Sequence, residues 1–163
     1  MAEPERIVIA DTTPLINLVG VGLLDLLPQL YGTILIAQAV YREYNAGSRP
    51  IDPRLATLAW IRIVSDVPPG VSLPRGLGAG EAATISLAIT LTADAVLLDE
   101  QLARRVARQR DLPVVGTLGV LLAAKQSGLL STVRPAVDAM TAQGRHISSA
   151  LRARILLEAE ETE

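Results

Sequence analysis

Five short apolar stretches set the terms on which this chain can fold. Residues 6–10 (R-I-V-I-A), 33–36 (T-I-L-I), 60–64 (W-I-R-I-V), 95–98 (A-V-L-L) and 113–115 (P-V-V) are rich in β-branched side chains and too short for helices. They read as strands, and apolar runs of this kind suit strands covered on both faces. The segments between them carry helical patterns: 15–19 and 23–30, 37–44, 81–91 and 101–109, then 118–126, 131–142 and 148–160. A further short helix is expected over 53–59. Strands alternating with helices imply an α/β domain with a parallel sheet, right-handed connections and a site at the carboxyl ends of its strands.

Local signals divide these elements. Thr12 or Thr13 offers a capping hydroxyl, with Pro14 in the first helical turn behind it. Residues 66–80 hold seven Pro or Gly in fifteen positions, so that segment is a loop. No repeat or linker splits the chain. Residues 1–145 are expected to form one domain. Residues 146–163, a helix with an acidic tail, either complete that unit or present a partner surface. Ile147, Leu151 and Ile155 recur on the helix at four-residue spacing.

Composition narrows the class. At 163 residues, half of them apolar, the chain can bury roughly 70% of its unfolded surface as one domain. It has no cysteine, so disulfides and thiolate metal sites are excluded. The first fourteen residues do not read as a signal peptide, and Asn17, Asp25 and Pro28 interrupt the apolar stretch 15–40. The expectation is a soluble cytoplasmic protein that does not engage a membrane. The net charge of -2 gives no basic field, although Arg104, Arg105, Arg108 and Arg110 lie close together.

Four carboxylates stand where chemistry would need them. Asp11 and Asp99 each follow a strand and so share the carboxyl edge of the sheet. Glu43 lies on the helix after the second strand, and Glu81 opens the helix after the Gly-rich loop. Two unpaired carboxylates about 5 Å apart repel by roughly 3 kcal/mol at an effective dielectric near 20. Such a cluster must raise its pKa values or take up a cation. Oxygen donors alone suit Mg²⁺ or Mn²⁺, which can activate water and hold a phosphodiester oxygen. Each residue also has a plainer reading. Asp11 and Asp99 can cap the helices that follow them, Glu81 favours its helix dipole, and Glu43 can pair with an arginine or be solvated.

The motifs D-T-T-P-L-I (11–16), V-Y-R-E (40–43), G-E-A-A-T-I-S-L-A (80–88), L-L-D-E (97–100) and G-T-L-G-V-L (116–121) together resemble the PIN-domain family. The resemblance covers about residues 7–133. It is nearest to a branch described as nucleic-acid-binding PIN proteins, related to VapC-type toxins. It implies a three-layer α/β fold with a central, mostly parallel sheet flanked by helices, and cleavage of RNA with Mg²⁺ or Mn²⁺. It makes Asp11, Glu43, Glu81 and Asp99 the metal-binding and catalytic quartet, with Thr12 and Thr117 as auxiliary residues. It further implies a toxin of a toxin–antitoxin pair, an antitoxin partner and a homodimer. One departure stands out. Such toxins carry a T-x-D-x-D-F-like segment after the last acidic strand, and here the chain reads L-L-D-E-Q-L-A-R-R.

Arg104, Arg105 and Arg108 lie on the helix after Asp99 and can contact RNA phosphates; a solvated face or a surface for an acidic antitoxin is the alternative. G-L-G-A-G-E (76–81) lacks the third glycine and the preceding strand of a dinucleotide loop. His146, the only histidine, lies far along the chain from the carboxylates and reads as structural or exposed. Lys125 is assigned no role. Against a ribonuclease stand a PIN-fold module that binds RNA or protein without cutting, and aspartyl phosphoryl transfer. The latter wants a second Asp where Thr13 stands.

Overall fold

The computed structural model describes residues 4–68 and 72–161; residues 1–3, 69–71 and 162–163, which include parts of the expected loop and acidic tail, lie outside them. All five expected strands form one sheet: β1 (Val8–Ala10), β2 (Ile34–Ala37), β3 (Ile61–Val64), β4 (Ala95–Leu97) and β5 (Val114–Val115). Their order is β3-β2-β1-β4-β5, and every pairing is parallel. The central strands β1 and β4 are buried throughout, whereas the edge strands β3 and β5 are only partly covered. This is the pattern of a sheet flanked by helices on both sides.

The strand order fixes where a site can form. From β1 the chain moves outward to β2 and β3, then returns past β1 to build β4 and β5 on the other side. The reversal falls between β1 and β4, and a crevice opens beyond the carboxyl ends of strands at such a point. Ala10 is paired with Leu97. The next residues out are Asp11, whose amide donates to the Leu97 carbonyl at 3.0 Å, and Leu98, whose amide donates to Val115 at 3.0 Å. Asp99 follows directly.

The helices are α1 (Thr12–Gly20), α2 (Leu26–Tyr31), α3 (Gln38–Gly47), α4 (Ala79–Leu91), α5 (Gln101–Gln109), α6 (Thr117–Gln126), α7 (Arg134–Ala142) and α8 (Ser149–Glu158). Three expectations need correction. The stretch 53–59 is no helix; it holds one 3-10 turn, Leu55–Thr57, because seven residues opening on a proline leave room for one turn before β3. Neither Thr12 nor Thr13 caps α1. Asp11 is the N-cap residue, and Thr12 is already the first helical residue. Nor does Asp99 cap α5: Glu100 does, accepting from the Ala103 amide at 3.1 Å.

The C-terminal helix packs on α6, with Ile155, Leu156 and Ala159 buried in the common core. Ser148 caps it, accepting from the Leu151 amide at 3.1 Å. Beyond its end, the Glu161 carboxylate takes three donors: the Val133 amide at 2.8 Å, the Arg134 amide at 3.2 Å and the Lys125 ammonium at 3.1 Å. Burial pushes the Glu161 carboxyl up, but these donors together hold it below its usual range. Glu161 thus ties Lys125 of α6 and the start of α7 to the segment that follows α8. Glu161→Ala should lower the thermal midpoint by roughly 3 °C, because it strips partners from two amides and the ammonium. A calorimetric scan in which the midpoint does not move would show that α8 is held by its apolar face alone.

Candidate functional site

Asp11 is the centre of the candidate site. Because β1 carries it to the switch point between two other strands, its side chain is enclosed: only 3% of the residue is exposed. Its Oδ1 is buried with no hydrogen-bond partner. Burial drives its carboxyl from the ordinary 3.8 up to about 7; the Thr12 amide opposes this, and the charges of Glu81, Glu43 and Asp99 add to it. The other three residues singled out from the sequence therefore each lie within electrostatic reach of Asp11. Their elements are β1, α3, α4 and the β4–α5 junction.

Each of the other three is held by groups of its own. Glu43, on α3, accepts from the Thr12 hydroxyl at 2.8 Å and from the Gly80 amide at 2.8 Å. It makes no ion pair with an arginine among the described residues. The hydroxyl that had looked like a cap for α1 therefore serves Glu43 instead. Gly80 permits the approach: a Cβ there would lie 2.6 Å from Glu43 Oε2. Glu81 accepts from the Gly78 amide at 2.7 Å and so closes the first turn of α4. That is half of a capping box, since glycine has no side chain to return the bond.

Asp99 is the most heavily engaged. The Thr117 amide, at the start of α6, donates to its Oδ1 at 2.7 Å, and the Thr117 hydroxyl donates to Oδ2. Asn17 donates to Oδ2 as well, at 2.8 Å. Thr117 is 1% exposed and Asn17 6%. Asn17 went unassigned in the sequence, where it served only to break an apolar stretch. It carried a signal nonetheless: an asparagine inside an apolar helix is disfavoured unless its amide has work in the interior. Its Oδ1 is, like that of Asp11, buried and unpartnered.

The three arginines of α5 divide. Arg104 turns back into the site: its Nη1 donates to the Leu98 carbonyl at 3.0 Å, and it packs on Gly116, where a Cβ would lie 2.3 Å from that nitrogen and 3.1 Å from Asp99 Oδ1. Burial lowers its pKa, as does Arg108, while Asp99 raises it. Arg105 and Arg108 are exposed and line an open concavity of about 570 Å³ that begins at Arg104.

The four carboxylates offer only hard oxygen donors, and the buried Asp11, with its unpartnered Oδ1 near three like charges, is the group a cation would relieve most. Among the described residues, no three carboxylate or imidazole groups stand as a ready-made ligand set. The reason is visible in the contacts above: Glu43, Glu81 and Asp99 are each turned towards donors of their own.

No curated protein and no solved structure matches the chain significantly. The PIN-domain family model matches residues 7–161. Since that span takes in every strand of the sheet, all four carboxylates and the C-terminal helix, the chain belongs to the PIN-domain family.

Proposed function

We propose that this chain is a metal-dependent endoribonuclease whose centre is Asp11. A PIN domain is a nuclease-type fold. The observation that carries the reading is the state of Asp11: buried, short of a hydrogen-bond partner, and pushed to about 7 by burial and by three neighbouring carboxylates. Charge of this kind is concentrated at sites of chemistry more often than at structural ones. Mg²⁺ or Mn²⁺ held by Asp11 with Glu43, Glu81 and Asp99 would supply an activated water and neutralise a phosphodiester oxygen.

The chain's own residues prepare that place. Thr12 and Gly80 fix the Glu43 carboxylate, and Asn17 and Thr117 fix that of Asp99. Asp11 near neutral pH exchanges a proton readily, so a cation displaces that proton at little cost. Arg104 and the exposed Arg105 and Arg108 supply positive charge for the phosphates on the α5 side. The toxin role, an antitoxin partner, a homodimer and a cytoplasmic setting accompany the likeness to VapC-type proteins and rest on it. Among the described residues no helix is long and apolar enough to cross a membrane.

A second reading, a PIN-fold module that binds without cutting, is favoured by one observation: Asp99 already has three donors, so it must give some up to ligate a cation. Mixed RNA incubated with Mg²⁺, Mn²⁺ or a chelator decides between them, beside an Asp11→Asn, Asp99→Asn double variant. Expected is cleavage that needs the cation and disappears in the folded double variant. RNA bound but left intact under all conditions would establish the binding module instead.

A further inference from the structure

A groove of about 630 Å³ begins at Asp99 and runs between α6 and α8. Half-buried apolar side chains, Leu118, Ile147 and Leu151, line it, with the buried Leu122 beneath them. So do Arg104, Arg145, His146 and Arg154. Arg154 is offset by Glu158, 4.0 Å away on the same helix, and Glu100, which accepts from the Ala103 amide, adds a negative charge to the lining. Arg145 and His146 are different. Both are exposed, and neither side chain has a hydrogen-bond or ion-pair partner among the described residues. The histidine that sequence distance seemed to remove from the carboxylates therefore shares a groove with Asp99.

Arg104 and Gln101 line both this groove and the arginine-rich concavity on α5. Together their linings carry Arg104, Arg105, Arg108, Arg145 and Arg154 against Asp99, Glu100 and Glu158, so the two form one track of net positive charge with Asp99 at the junction. One arm lies along α5, with Arg105 and Arg108. The other lies beside α8, with Arg145 and His146 on the segment that leads into it.

We infer that the α6–α8 groove binds single-stranded nucleic acid, taking the nucleotides on one side of Asp99 while α5 takes those on the other. This rests on the ribonuclease reading for the position of the cut but not for binding. The chemistry is specific to an unpaired strand. Arg145 meets the phosphate charge, and the His146 ring gives a base a face to stack on. The apolar lining is open to base faces, which are available only when the bases are out of a duplex. A groove of this volume holds one or two nucleotides, the scale of small-ligand sites.

The test is fluorescence anisotropy of a labelled single-stranded RNA, in chelator so that nothing is cut, with the full chain and an Arg145→Ala, His146→Ala double variant. Both residues are exposed, and equal thermal midpoints will confirm that folding is untouched. We expect the variant to bind about tenfold more weakly, with a salt dependence shallower by about one unit, and the wild type to prefer the single strand to its duplex by a similar factor. Unchanged affinity in the variant, equal binding of duplex, or no binding by wild type would overturn the inference. Binding that depends on these residues, in a protein that never cleaves with Mg²⁺ or Mn²⁺, would uphold the groove and defeat the ribonuclease reading alone.

Discussion

Replacing Asp11 with Asn will stabilise the cation-free protein at pH 8 and leave it little changed at pH 4. Between the ordinary value of 3.8 and about 7, the folded chain holds a proton on Asp11 that the unfolded chain has released. Stability therefore falls as pH rises through that window and levels off above it. At 1.36 kcal/mol per unit, the whole effect is at most about 4 kcal/mol. Asn keeps part of the burial cost, since its amide is also short of partners. A rise in thermal midpoint of roughly 4–8 °C at pH 8 is the reasonable expectation for a chain of this size. Calorimetry in chelator at the two pH values reads it directly, and a variant less stable than wild type at pH 8 would refute the account of Asp11. Repeating the scans with Mn²⁺ tests the proposed function as well. The wild-type midpoint should climb with added cation, because a ligand bound only by the folded state stabilises it, and that of the variant should stay where it was.

On the proposed nuclease reading, Gly80→Ala will abolish most cleavage while leaving the fold intact. Gly80 is the second residue of α4, with backbone that any residue can adopt, and alanine is the better helix former by up to about 1 kcal/mol. The new Cβ would come within 2.6 Å of Glu43 Oε2 and 2.9 Å of its Oε1. The carboxylate, as the far end of a flexible side chain, is what yields. In moving it leaves the Gly80 amide and the Thr12 hydroxyl together. A displacement near 1 Å in a catalytic group costs about a hundredfold in rate. Cleavage assays beside a thermal melt check this, with Glu43→Gln as the comparison. Full activity in Gly80→Ala would remove Glu43 from the machinery.

Much of the fold was legible because it depends on local patterns. The five strands are short, β-branched and bounded by helix signals, and they stand where the pattern places them. The positions of Asp11 and Asp99 follow from the same reading, since a residue after a parallel strand lies at the sheet's carboxyl edge whatever its neighbours are. What stayed hidden depends on contacts across the chain. Thr12 looked like a cap because capping is a local habit of threonine; its true partner is Glu43, 31 residues away. Glu100 rather than Asp99 caps α5, a choice of one residue that the pattern cannot resolve. Asn17 reaches Asp99 across 82 residues. Arg145 and His146 share a groove with Asp99 only because α8 folds back on α6, which no periodicity announces.

The pairing of β1 with β4 also sets the order in which the protein can come into being. The bond from the Ile7 amide to Asp94 spans 87 residues, and β1 has no partner on that side until β4 has been made. At ordinary rates of synthesis, that wait is on the order of ten seconds. During it a bare apolar strand edge faces solvent and invites pairing with other chains. The same delay protects whatever lies nearby. Asp11 emerges early, but Asp99 and the Thr117 that fixes it emerge late, so a nascent chain on the ribosome has no assembled site until most of its length has been translated.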